Sequence, residues 1–243
     1  MSNKLVENFI PFYTTGKQVQ VRTPEELKRL ILGSDDVRDV MAQVVRERTE
    51  KYKQHFQMLP NEDAIYGSVH KEATKVIERI MSTYNHSMLR YFAEIMKKTF
   101  VSIYEKIVVN EQVLANVRRL SDNRKGPIMY CPTHRSYVDF LLVSLVLYYY
   151  KMEVPHICSG EDFLGIFIIG NLLRSSGAFF MRRTFKGDDL YKAIFKEYVT
   201  RLAVDSINME FFIEGTRSRT NKILHPKYGF LSILTQAYFK KKV

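Results

Sequence analysis

A base, a carboxylate and clustered arginines fall in three ordered blocks of the chain. These are Thr133-His134-Arg135-Ser136-Tyr137-Val138-Asp139, Gly177-Ala178-Phe179-Phe180-Met181-Arg182-Arg183 and Phe212-Ile213-Glu214-Gly215-Thr216-Arg217-Ser218-Arg219. Imidazole exchanges its proton near neutral pH, so His134 can take a proton from a substrate hydroxyl while Asp139 fixes its tautomer. Guanidinium groups bind phosphate oxygens through forked N–H donors. In a chain with six histidines, a histidine five residues before an aspartate is a weak signal alone. Three such blocks in order are much harder to dismiss.

Each block constrains the backbone that carries it. Residues five apart on a straight helix point in different directions, so His134 and Asp139 meet only if the histidine sits on a loop and the aspartate in the first turn of the following helix. On that block alone, the same pair serves equally well as a helix cap. Ser136 lacks the GxSxG elbow of a serine nucleophile. In the second block, adjacent strand residues face opposite ways, so one of Arg182 and Arg183 enters a site and the other is solvated or paired elsewhere. In the third, Gly215 permits a tight turn whose amides, hydroxyls and guanidinium groups suit a phosphate monoester. Glu214 reads as a support for an arginine or for the turn, with service as a second base left open.

The elements that must position these blocks follow from periodicity. Up to about Arg124 the chain reads as helix. Thr23-Pro24-Glu25-Glu26 is a capping box with proline at the first helical position, Gly33 closes that helix, a second runs from about Asp35 to Met58, and Leu59-Pro60-Asn61 breaks it. Apolar residues at helical spacing between Asn61 and Val109 predict two or three packed helices. His55, His70 and His86 lie there without partners at metal spacing and read as surface or structural residues. After Asn123-Arg124-Lys125-Gly126-Pro127 the texture changes to strands at 128–131, 154–158, 178–181 and 209–213, alternating with helices at 139–150, 162–174, 188–204 and 229–239. The fold class is therefore α/β: a helical N-terminal region, 1–124, followed by an α/β sheet domain, 125–243. The blocks begin or end at strand edges, and the carboxyl edge of such a sheet is where ligands bind.

Composition narrows the partners. With 243 residues, 46% of them hydrophobic, the chain can bury a sizeable core. Its net charge of +11 favours an anionic partner, but the basic residues are dispersed, without the basic stripe and interleaved aromatics of a nucleic-acid groove. Nucleic acid is therefore not expected. Cys131 and Cys158 sit in apolar runs without CxxC spacing and read as buried free thiols, with no structural metal. The N-terminal residues lack a secretory pattern. Phe140–Tyr150 and Phe163–Leu173 are too short or too interrupted to span a membrane, although their surfaces are candidates for peripheral membrane contact if exposed.

The three blocks resemble the glycerophosphate acyltransferase superfamily, whose His-x4-Asp, Gly-x-x-Phe-Ile-x-Arg and Glu-Gly-Thr-Arg-Ser motifs mark an acyl-CoA-dependent active site. Met181 replaces the isoleucine of the second motif. The wording His-Arg-Ser-Tyr-Val-Asp-Phe, Gly-Ala-Phe-Phe-Met-Arg-Arg-Thr-Phe and Pro226-Lys227-Tyr228-Gly229 is similar to the dihydroxyacetone phosphate acyltransferase branch. The resemblance is dense from about Pro127 to the end. It implies that His134 is the catalytic base and Asp139 its partner. Arg135, Ser136, Gly177, Phe180, Arg183, Glu214, Gly215, Thr216, Arg217 and Ser218 would bind substrate.

What the resemblance implies for function is transfer of a long-chain acyl group from fatty acyl-CoA, a cosubstrate, to dihydroxyacetone phosphate, with no metal or redox cofactor. In that branch the reaction begins ether-lipid synthesis on the peroxisomal membrane surface, next to the enzyme that acts second. Two alternatives stand beside it: glycerol 3-phosphate as acceptor, and a noncatalytic lipid-associated scaffold. The superfamily's fourth block, a proline-containing apolar strand, does not follow the third. The chain accordingly reads as truncated after Lys242-Val243, which would also remove any C-terminal peroxisomal address.

Overall fold

Thr23 starts the first helix as its sequence predicts. Its hydroxyl accepts from the Glu26 N–H at 3.2 Å and the Glu26 carboxylate accepts from the Thr23 N–H at 2.9 Å, closing a reciprocal capping box. The computed structural model describes residues 22–56, 61–123, 125–165 and 167–240. Helix α1 spans Pro24–Leu32, α2 Asp35–Phe56, α3 Glu62–Ile80, α4 His86–Ile103 and α5 Glu111–Asp122. Asn61, Asn85 and Asn110 cap α3, α4 and α5 with their side-chain oxygens. The expected end of α2 at Met58 and the Leu59-Pro60 part of the break lie outside the described residues.

The second half alternates as expected, with shifts at several ends. Its elements are β1 (Met129–Tyr130), α6 (Asp139–Tyr149), β2 (His156–Gly160), α7 (Phe167–Ser175), β3 (Ala178–Met181), α8 (Asp189–Val204), β4 (Met209–Glu210) and α9 (Gly229–Phe239). The four strands are parallel in the order β1-β4-β2-β3. Strand β2 starts two residues later than predicted because its ladder begins where the His156 N–H donates to the Asn208 carbonyl at 2.8 Å. The helix expected over 162–174 is split, with a tight 3-10 turn at Glu161–Gly165 preceding α7.

Alternation along the strands fills two cores. Phe179, Met209 and Phe211 face one side and pack with α1, α2, α3, α8 and α9 around Ile31, Val37, Ile77, Ile194 and Phe195. Ile157, Ala178 and Phe180 face the other, against Phe140 of α6 and Leu173 of α7. The first cluster draws residues from both the 1–124 and the 125–243 segments. Arg174 fastens the segments together, donating to the carbonyls of Glu78, Arg79 and Met81 at the end of α3. These carbonyls have no acceptor role inside the helix.

Two expectations need correction. Cys131 is exposed, not buried, because β1 ends at Tyr130 and the chain turns away into the loop. Cys158 is half-buried on β2, where burial pushes its thiol up. Residues 140–150 are buried or half-buried, so α6 offers no open apolar face. Within the other candidate surface, 163–173, Ile169 is exposed, and further large exposed apolar side chains include Val101, Ile103, Val108, Val113 and Leu120. Among the described residues no helix is long and apolar enough to cross a membrane, and no three His, Cys, Asp or Glu residues are grouped to hold a metal ion.

Candidate active site

Because the strands are parallel, the loops after β1, β2, β3 and β4 leave from one edge of the sheet. The loop after β1 carries His134 and delivers the chain into α6, whose first residue is Asp139. His134 Nδ1 lies 3.2 Å from Asp139 Oδ2. The same oxygen accepts the N–H groups of Arg135 and Ser136, each at 2.7 Å. Asp139 therefore caps its own loop and meets the imidazole at once, joining the two readings that the block alone left open. The side chains of His134 and Asp139 keep 16% and 22% exposure, so the pair stays open to a ligand. With the proton placed on Nδ1, Nε2 is left as the basic nitrogen.

The loop after β4 closes around the histidine from below. Phe212 stacks on the imidazole with ring centroids 4.1 Å apart. Glu214 is buried, and its Oε1 accepts the His134 N–H at 3.2 Å while Oε2 accepts the Leu224 N–H at 3.3 Å. Glu214 thus holds backbone at both ends of the site and no arginine. The Ser218 N–H donates to the His134 carbonyl at 2.8 Å, and the Gly215 N–H to the Phe212 carbonyl at 2.9 Å. The phosphate-facing amides expected of this turn are therefore reduced by two, since both of these are used inside the protein.

Cationic groups remain for an anion. The Arg217 guanidinium lies over the Tyr137 ring at 4.4 Å, on the His134 loop, and its buried Nε has no hydrogen-bond partner. The Ser218 hydroxyl is likewise buried without a partner. Such groups are costly unless something accepts from them. Thr216 and Arg135 are exposed, and Ser136 is half-buried, its hydroxyl accepting the Val138 N–H at 3.4 Å.

The second block splits its two arginines between the protein and the solvent. Arg182 is the anchored arginine. It pairs with Asp188 at 2.5 Å, lies over the Tyr191 ring at 4.3 Å, and its N–H donates to the Tyr191 hydroxyl at 2.9 Å. Arg183 is the open one, with 84% side-chain exposure and a 2.5 Å ion pair to Asp162 beyond β2. Gly177 and Phe180 are not brought to the His134 loop. Gly177 precedes β3, at the opposite sheet edge, where its φ of 107° and the Tyr84 ring 3.2 Å from a built Cβ require glycine. Phe180 is 1% exposed in the core, with the Arg174 guanidinium 4.8 Å from its ring centre. Their placement supports packing of the sheet instead of contact with a substrate.

Sequence reading passed over three residues here. Tyr137 and Phe212 lie within quoted blocks but gave no sign of their ring contacts. Glu210 was hidden in a strand read as apolar, where a lone carboxylate between Met209 and Phe211 was the available signal. It is fully buried, and burial, with the Asp139 charge adding to it, pushes its carboxyl well above the ordinary range.

Known proteins similar to this chain include acyltransferases. The sequence profile of the Acyltransferase family matches residues 107–241. The "Dihydroxyacetone phosphate acyltransferase" of Mus musculus is 39% identical over 221 residues, covering 90% of this chain and 30% of that protein. The Homo sapiens protein of the same name is 38% identical over the same span. The "Glycerol-3-phosphate acyltransferase" of Haemophilus influenzae (strain PittEE) is 42% identical over 167 residues, covering 69% of this chain and 20% of that protein. The chain thus spans about a third of the mouse and human relatives and less of the bacterial one.

Proposed function

The chain belongs to the acyltransferase family, and from that premise we propose that it transfers a long-chain acyl group from fatty acyl-CoA to dihydroxyacetone phosphate. The observation that carries the reading is the His134–Asp139 contact, set beside the unpartnered Arg217 Nε and Ser218 hydroxyl. His134 Nε2 takes the acceptor's hydroxyl proton while that oxygen attacks the thioester carbonyl. Asp139 stabilises the imidazolium that results. The C–O bond forms, the C–S bond breaks, and His134 returns the proton to the departing CoA thiolate. Arg217, and Arg183 once it leaves Asp162, bind the acceptor phosphate.

The longer match to the mammalian relatives, over 90% of this chain, supports the ketone acceptor, and the shorter match to the bacterial relative, over 69%, keeps glycerol 3-phosphate as the second reading. By the same resemblance, the product enters ether-phospholipid synthesis at the peroxisomal membrane surface, where the next enzyme of that route receives it. The exposed apolar side chains around Val101, Ile103 and Val108 are our choice for contact with that surface.

The test is CoA release from palmitoyl-CoA by the purified protein, with each acceptor offered separately and His134→Ala beside it. Faster turnover with dihydroxyacetone phosphate supports the assignment, and faster turnover with glycerol 3-phosphate moves the protein to the second reading. Silence with both removes the catalytic reading and leaves a scaffold, and full activity in a folded His134→Ala variant removes His134 as the base.

A further inference from the structure

Strand β4 carries a carboxylate in a place that cannot solvate it. Glu210 is 0% exposed, and neither Oε1 nor Oε2 has a hydrogen-bond partner. Its neighbours Met209 and Phe211 face the cluster under α8 and α9. By alternation, Glu210 and Phe212 face the other side, that of α6. Phe212 is the ring that stacks on His134. Laterally Glu210 pairs with Tyr130 of β1 and Ile157 of β2, and Ile157 packs with Phe140, the residue after Asp139. The acid therefore lies one step down the strand from the catalytic imidazole, beneath the helix that starts with its carboxylate partner.

An ionised carboxylate there would be both desolvated and repelled by Asp139, so burial, with the Asp139 charge adding to it, pushes the Glu210 carboxyl well above the ordinary range and favours its protonated form. Asp139, by contrast, receives three donors, all on Oδ2. We propose that Glu210 is a positioning residue for the His134–Asp139 pair, a neutral acid that offers its O–H to the Asp139 carboxylate as His134 takes up the substrate's proton. Glu210 retains its own proton throughout, and the transferred proton passes from acceptor to His134 to CoA thiolate. This inference rests on the acyl-transfer reading of the site. A purely structural Glu210 behaves differently: replacing a buried, unpaired acid by an apolar side chain of similar length is then neutral or stabilising, with catalysis untouched.

The experiment compares kcat, KM and melting temperature for wild type, Glu210→Gln, Glu210→Met, Asp139→Asn, Glu210→Met/Asp139→Asn and His134→Ala. Glu210→Gln keeps a donor, and its kcat stays within about threefold of wild type. Glu210→Met lowers kcat roughly ten- to a hundredfold with both KM values unchanged and the melting temperature equal or higher. The same change costs nothing further when Asp139 is already Asn, because it acts through Asp139. A folded Glu210→Met variant with wild-type kcat, equal losses in the Gln and Met variants, or a full additional loss in the Asp139→Asn background each overturns the proposal. Should Glu210→Met not fold, Glu210→Leu takes its place with the same expected loss of kcat, and wild-type kcat in a folded Glu210→Leu variant, or a loss of about tenfold or more in Glu210→Gln, overturns the proposal. Activity surviving in His134→Ala overturns the role given to the His134–Asp139 pair and this inference with it, whereas silence of the wild type with both acceptors overturns the acyl-transfer reading. Loss in His134→Ala beside a wild-type Glu210→Met overturns this inference alone.

Discussion

The backbone N–H of His134 donates to Oε1 of Glu214, 3.2 Å away and 80 residues later in the chain. This contact ties the loop after β1 to the loop after β4, and the second Glu214 oxygen holds Leu224 at 3.3 Å. The buried carboxylate therefore sets the height of the imidazole without touching its ring nitrogens.

Replacing Glu214 by alanine leaves two half-buried N–H groups without this acceptor. Hydrogen bonds to charged groups contribute about 1.5–3 kcal/mol each at good geometry, and these are long, so Glu214→Ala is expected to destabilise the protein by about 2 kcal/mol. Its kcat falls at least tenfold as the His134 loop loosens. Glu214→Gln keeps one acceptor but turns an N–H donor toward the other donor, so it lies between. Denaturant midpoints and kcat, measured on both variants, check the order wild type, Gln, Ala. An alanine variant as stable as wild type contradicts the role given to this carboxylate.

Gly215 allows a test that separates two costs. It adopts φ of 62°, and a Cβ built there lies 2.7 Å from Lys227 Cδ. A left-handed conformation costs an L-residue about 1–2 kcal/mol, and the clash adds to it. Gly215→Ala is expected to destabilise by more than Gly215→Ala/Lys227→Ala does relative to Lys227→Ala. The difference between the two is the steric part, and the remainder is backbone strain. Equal effects in both backgrounds show that Lys227 swings aside freely.

Much of this arrangement was readable because local signals and tertiary needs agree. Thr23 with Glu26 wrote its capping box into four residues, and the helix start at Asp139 followed from the requirement that His134 and Asp139 meet. Strand β3 lies where its apolar run predicted. The rest was unreadable because it depends on distant chain. Glu214 took its role from His134 and Leu224, not from an arginine. Phe180, placed in a motif by resemblance, proved to be core because its side of β3 faces α6 and α7. Cys131 looked buried in an apolar run, yet β1 is too short to carry it inside. Glu210 escaped notice because strand periodicity weighs faces and not the single acid that interrupts one.

The two arginines proposed for phosphate differ in what they must give up. Arg217 has a buried Nε with no partner, so it gains an acceptor when phosphate arrives. Arg183 must leave Asp162, but with 84% of its side chain exposed this pair contributes little. Arg217→Ala is expected to raise the acceptor KM roughly ten- to a hundredfold, the usual range for a lost charge-assisted bond, with the acyl-CoA KM little changed. Arg183→Ala raises it about threefold, and Asp162→Asn lowers it or leaves it unaltered. Steady-state kinetics with varied acceptor distinguish these cases. An acceptor KM unaffected by Arg217→Ala moves the phosphate site elsewhere.

His156 and Glu210 impose opposite pH slopes on stability from opposite faces of the sheet. His156 accepts or donates through Nδ1 to the Ser82 hydroxyl at 3.1 Å and stacks on Tyr84, and burial drives its pKa from 6.5 down to about 4. Between those values the unfolded chain binds a proton that the folded one refuses. Stability from this group is therefore whole above pH 6.5 and falls on acidification, by up to about 1.4 kcal/mol per pH unit. Glu210, with its carboxyl raised, keeps a proton in the fold that the unfolded chain releases above the ordinary carboxylate value. Its contribution is whole in acid and falls as pH rises. Melting temperatures from pH 4 to 8 should show the acid limb flattened in His156→Phe and the neutral-to-alkaline side raised in Glu210→Gln. If His156→Phe keeps the full acid limb, that limb originates in the carboxylate ion pairs, and His156 is not the group that resists the proton.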